Sequence, residues 1–118
     1  MKVYNFADHN SIVNQYMAEL RDVDIQRDML RFRRNLERIG EIMAYEISRE
    51  VSYREAPVRT PLGTARCRLL DDRLVLATIF RAGLPFHQGF LDIFDHAQNA
   101  FVSAYRKYTD DDNFDVFI

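Results

Sequence analysis

A single cysteine, Cys67, stands in 118 residues. No internal disulfide can form, and a structural zinc site built from several cysteines is excluded. Glycine (4) and proline (3) are sparse, and no Pro/Gly/Ser linker, internal repeat or low-complexity tract divides the chain. No apolar run approaches the ~18 residues of a membrane span. The opening, Met1 to Asn10, carries Lys2, Tyr4, Asn5, Asp8 and His9 and lacks the continuous apolar stretch of a secretory signal. Charge of one sign is missing too. The 16 basic residues face 18 acidic ones, a formal net charge of -2, so nothing predicts global electrostatic capture of nucleic acid. These absences place the protein in the cytoplasm, off the membrane, where a lone thiol stays reduced.

What is present is the composition of a folded domain, 47% hydrophobic and 29% charged. The length fits one domain of about 100–150 residues. The pattern changes near Val51. Residues 1–50 read as a helical segment, and residues 51–118 read as short β-like runs broken by turns.

The spacing predicts a first helix over Ile12–Leu20, with Ile12, Val13, Tyr16, Met17 and Leu20 on one face and Asn10 or Ser11 as its cap. A longer helix is predicted to begin after Asp24. Its apolar residues Ile25, Met29, Phe32, Leu36, Ile39, Met43 and Ile47 recur at steps of three and four. Gly40 interrupts this helix at a cost of about 1 kcal/mol relative to alanine, which implies the close approach of another backbone. Ala56–Thr60 and Ala65–Leu69 flank Pro61-Leu62-Gly63, a β-hairpin pattern. After a turn at Asp71-Asp72-Arg73, the apolar run Leu74–Phe80 predicts a strand covered on both faces. A helix over Pro85–Phe94 and a second strand over Ala100–Tyr105 complete a βαβ unit with parallel pairing. Lys107–Asn113 reads as a polar turn, and Phe114–Ile118 as the opening of another strand. The fold class is therefore α/β, built from N-terminal helices, a β-hairpin and a parallel βαβ unit. Two parallel strands make only part of such a domain.

The segment Phe80-Arg81-Ala82-Gly83-Leu84-Pro85 leaves the carboxyl end of the apolar strand and opens a helix. Ligands of open α/β sheets sit at that edge. Gly83 can adopt φ > 0 and admits an anion close to its backbone N–H. The helix start adds partial positive charge, and Arg81 offers a planar, permanently charged fork. These residues suit a phosphate or a diphosphate; they equally suit a tight strand-to-helix turn. The second strand closes on Tyr105-Arg106-Lys107, so Arg106 is expected at the same edge, converging with Arg81.

Other residues point away from chemistry. Arg27, Arg31, Arg34 and Arg38 share one face of the long helix, but Asp28, Glu37 and Glu41 are interleaved, with Arg38 set to pair with Glu41. That face reads as solvated or subunit-facing rather than as a nucleic-acid surface. His9, His87 and His96 lack metal-ligand spacing, so no protein-held metal is expected. Cys67 has no histidine beside it in the predicted strand. Asp110-Asp111-Asp112 reads as a solvated loop and leaves only a distant magnesium role open.

Three segments resemble the N-terminal half of bacterial uracil phosphoribosyltransferase: Phe32–Glu46, Val75–Leu84 with the helix after it, and Val102–Arg106. Arg81-Ala82-Gly83-Leu84 after an apolar strand is the most specific of them. The resemblance implies a type I phosphoribosyltransferase fold, generally dimeric. It also implies an enzyme that joins uracil to 5-phosphoribosyl 1-diphosphate (PRPP), with magnesium accompanying PRPP, to give UMP and diphosphate. By the same resemblance Arg81, Ala82 and Gly83 form the first PRPP loop, Arg106 is a second diphosphate contact, and this half carries no catalytic acid or base. Pro85-Phe86 departs from the Gly-Met pair common in the family. The family's ribose-phosphate motif, an apolar strand followed by Asp-Pro and a Thr-Gly-rich loop, has no match here, nor has the uracil-reading segment. The chain is therefore expected to be inactive alone. The competing readings are a non-catalytic dimerisation module and a nucleotide-responsive regulator of the same fold.

Overall fold

A computed structural model describes residues 2–118. Helix α1 spans Val13–Arg21, where Ser11 Oγ accepts the Val13 N–H at 3.2 Å. Helix α2 spans Met29–Ser48 and starts later than the apolar spacing predicts. Asp28, not Asp24, sits at its cap and accepts the Arg31 N–H at 3.1 Å. Ile25–Arg27 form a separate single 3-10 turn. The predicted apolar stripe is therefore buried only in its middle. Ile39 is covered, whereas Ile25, Met29 and Ile47 are exposed.

The fully buried face of α2 contains Asn35, at 0% exposure. Its amide donates to Glu19 Oε2 of α1 at 2.7 Å, and its Oδ1 accepts from Arg38 Nη1 at 3.2 Å. Gln15 and Arg31 also donate to Glu19. The Asn35 amide, then Gln15 and Arg31, hold the Glu19 carboxyl below its ordinary range. Arg38 lies over the Tyr16 ring at 5.3 Å, and Arg34 pairs with Glu37 at 2.8 Å. The expected Arg38–Glu41 pair is thus replaced by Arg38–Asn35. Much of the arginine face serves to dock α1 on α2.

Helix α3, Leu84–Ile93, crosses α2 at a pair of glycines. A side chain on Gly40 would stand 2.6 Å from the Phe86 carbonyl oxygen, and one on Gly89 would overlap the Glu37 carbonyl oxygen. The two backbones touch, which is the reason for Gly40 inside a helix. Phe94 closes the far end of α3 at 6% exposure, a burial worth about 1.5–3 kcal/mol.

Glu41 and Asp92 meet beside this crossing. Partial burial, and then the neighbouring Asp92 carboxyl, hold Glu41 above its ordinary value of 4.5. A raised carboxyl favours the folded state while it is protonated, and that contribution is lost as pH rises through the raised value. Glu41→Gln is therefore expected to match the parent in thermal melts below pH 4.5 and to melt higher than the parent near neutrality. An advantage that stays constant with pH would refute the raised Glu41 carboxyl.

Strands β1 (Tyr53–Thr60) and β2 (Gly63–Leu70) form an antiparallel hairpin closed by Pro61-Leu62. Gly63 takes φ +129, a conformation open to glycine and strained for other residues. Strands β3 (Val75–Phe80) and β4 (Gln98–Ser103) pair in parallel, and α3 connects them, so the expected βαβ unit is present. Helix α3 covers the face that carries Leu76, Thr78 and Phe80. The opposite face is open, with Val75 and Ile79 each 59% exposed. The two-sided cover predicted from the apolar run is therefore not supplied by the described residues. β5 (Tyr105–Tyr108) and β6 (Phe114–Phe117) form a further antiparallel hairpin. Its turn is organised by Asp110, which accepts from the backbone of Asp112 and Asn113 at 3.0 and 2.9 Å. Among the described residues no helix is long and apolar enough to cross a membrane.

Candidate functional site

The turn between β3 and α3 is compact. The Gly83 N–H donates to the Ile79 carbonyl at 3.2 Å, and the Leu84 N–H donates to the Arg81 carbonyl at 3.1 Å. Gly83 has φ -75, so the expected positive φ is not what glycine provides here. A Cβ at this position would overlap Thr78 Oγ1 and lie 2.9 Å from the Ile79 carbonyl oxygen. Glycine is required because the turn folds back onto its own strand. Its N–H faces inward to Ile79 rather than outward to an anion.

Arg81 and Ala82 are exposed, and Gly83 is half-buried. No side chain caps α3, and Pro85 occupies its second position. Proline has no N–H to leave unpaired in a first turn and its φ suits the helix. The helix therefore begins at Leu84, three residues beyond Arg81, with its positive dipole end at the carboxyl edge of β3. Below the turn, Phe80 stacks on Phe101 of β4 with ring centroids 4.6 Å apart.

Arg106 lies elsewhere than expected. β4 ends at Ser103, paired with Phe80, and Arg106 falls inside β5. Its guanidinium carbon sits 4.7 Å from the Phe114 ring centroid, a cation–π contact across the hairpin. The apolar run through Tyr105 concealed the break at Ala104. Both arginines still follow the carboxyl ends of the paired strands, Arg81 directly and Arg106 from the hairpin beyond. Cys67 is a free, half-buried thiol on β2. Among the described residues no three His, Cys, Asp or Glu side chains converge as a metal-ligand set.

A family model described as uracil phosphoribosyltransferase matches residues 7–116. The chain belongs to the uracil phosphoribosyltransferase family. A curated relative of that name from Porphyromonas gingivalis is 57% identical over 118 residues, which is 100% of this chain and 55% of the relative. Another, from Pyrococcus furiosus, is 37% identical over 106 residues, 88% of this chain and 44% of the relative. The chain thus spans about half the length of the curated relatives it matches. The solved structure of the AQ2163 protein from Aquifex aeolicus superposes with a TM-score of 0.72 at 23% identity, covering 93% of this chain and 52% of its own. That likeness supports the fold.

A polar link behind the Arg81 turn has no signature along the chain. His87, at 7% exposure, bonds through Nε2 to Asn99 Oδ1 at 2.7 Å. A lone histidine in an apolar helix gave no signal of a partner twelve residues on.

Proposed function

We propose that the protein carrying this chain is a uracil phosphoribosyltransferase, a pyrimidine-salvage enzyme that transfers the 5-phosphoribosyl group of PRPP to uracil. The products are UMP and diphosphate. The observation that carries this reading is the turn Arg81-Ala82-Gly83 between the carboxyl end of a parallel strand and the start of α3. In this reading Arg81, the Ala82 backbone and Arg106 contact the diphosphate of PRPP, and Gly83, whose N–H is held by the Ile79 carbonyl, shapes the loop without contacting the anion. The transition state is oxocarbenium-like with diphosphate leaving, so catalysis consists of positioning and of stabilising negative charge on the leaving group. The two arginines serve that second role, and no side chain of this chain acts as acid or base. Magnesium enters as part of the substrate, on PRPP, as the resemblance implies.

The enzyme is further proposed to be a cytoplasmic homodimer. The resemblance to a generally dimeric family supports this reading.

The test is UMP formation from labelled uracil by the full gene product with magnesium and PRPP, beside the pure 118-residue chain. PRPP-dependent UMP is expected from the former and none from the latter, which spans about half of its relatives. Sedimentation velocity on the active sample is expected to show a dimer. A full gene product without PRPP-dependent turnover would overturn the function, and steady turnover by the 118-residue chain would overturn the division of labour.

A further inference from the structure

His87 and Asn99 stand outside the proposed diphosphate contacts, yet they tie the elements that carry them. The His87 backbone N–H donates to the Gly83 carbonyl at 2.9 Å, which holds the turn to the first winding of α3. The His87 ring lies against Phe101, centroid to centroid 5.2 Å, and Phe101 stacks in turn on Phe80, the residue before Arg81. The ring's Nε2 meets Asn99 Oδ1 at 2.7 Å. An amide oxygen only accepts, so Nε2 carries the hydrogen and donates. Asn99 sits opposite Leu76 in the β3–β4 register. One hydrogen bond therefore joins the helix behind the Arg81 turn to the strand that leads on to Arg106.

This link compensates for a specific weakness. Helix α3 has no side-chain cap and carries proline in its first turn, so its start is held by few local bonds. A buried polar bond from its fourth residue to the sheet fixes the offset of the helix start. That offset sets where Arg81 stands.

We infer that His87 is a positioning residue for the PRPP loop, acting through its hydrogen bond to Asn99. This rests on the reading of the Arg81 turn as the diphosphate site. Loss of the bond leaves Arg81 in place but loosely held, and a shift of about an ångström in a binding group costs up to about 10²-fold. The loss is expected in the handling of PRPP, not of uracil.

The experiment uses steady-state kinetics of the full gene product, varying each substrate. His87→Leu keeps the bulk and removes the donor. It is expected to raise the KM for PRPP about tenfold, within the range that such misplacement allows, and to leave the KM for uracil near the parent value. His87→Gln restores a donor and is expected to recover most of the PRPP affinity. Asn99→Leu breaks the same bond from the strand and leaves α3 untouched, so it reads the link even if His87→Leu does not fold. The double variant is expected to be no worse than either single one. His96→Ala, on the exposed end beyond α3, is the control with unchanged kinetics. An unchanged KM for PRPP in both Leu variants overturns the inference. So does an equal loss for both substrates that His87→Gln does not rescue, since that marks a general packing role. A parent protein with no PRPP-dependent turnover of uracil overturns the proposed function, and this inference with it.

Discussion

Gly89→Ala is expected to destabilise the protein by about 3 kcal/mol or more, at the upper end of overpacking costs. In a free helix the same change stabilises by about 1 kcal/mol, because alanine is the better helix former. Here the packing term wins. The new methyl would overlap the Glu37 carbonyl oxygen and stand 2.9 Å from both the Glu37 carbonyl carbon and the Glu41 amide nitrogen. All three are backbone atoms inside a helix, so no side-chain rotation relieves the clash and α2 and α3 must separate. A native domain has about 5–15 kcal/mol in hand, so the variant loses a large share of it. Gly40→Ala acts in the same direction from the other helix, meeting the Phe86 carbonyl oxygen at 2.6 Å. Urea denaturation followed by helical circular dichroism measures both. A Gly89→Ala protein as stable as its parent would show that the helices do not cross backbone to backbone.

The second large effect concerns Arg81. Arg81→Ala in the full gene product is expected to cost roughly 2–4 kcal/mol of transition-state stabilisation, the scale for removing one preorganised charge-stabilising contact. That is about 30- to 900-fold in kcat/KM for PRPP. Arg81→Lys recovers little, because an ammonium lacks the planar paired donors. Arg106→Ala is expected to lose activity on the same scale. The double variant is expected to cost less than the sum, since both groups act on one diphosphate. Arg106 stands on a hairpin strand over Phe114, so its delivery to the anion depends on that hairpin as Arg81 does not. Normal kcat/KM for PRPP in both single variants would return the β3–α3 turn to a purely structural role. A loss at Arg81 alone would remove the β5–β6 hairpin from the site.

The β3–α3 turn is legible along the chain because its signals are local. The apolar run to Phe80, the Arg-Ala-Gly turn and the proline after it announce a strand end and a helix start without any distant partner. Pro61-Leu62-Gly63 states its hairpin in the same way, and Gly40 announced a close backbone before that backbone was known. The errors share a cause. Asn35 carries no mark of burial along the chain, and only the arrival of Glu19 from α1 makes its burial tolerable. Gly83 was credited with a positive φ, whereas the fold uses its missing side chain against Thr78.

The chain's own order of residues determined the helices, the first hairpin, the parallel βαβ unit and the place of Arg81, since periodicity and backbone chemistry act between covalent neighbours. Tertiary structure alone decided the glycine-to-glycine crossing of α2 and α3, the Glu19–Asn35 and His87–Asn99 bonds, and the transfer of Arg106 from a strand end to a separate hairpin. The crossing and the two bonds depend on which group arrives from another element, whereas the placement of Arg106 turns on a strand break at Ala104 that the apolar run conceals. A hydrogen-bond donor, a glycine or an apolar run reads the same along the chain whatever is going to meet it.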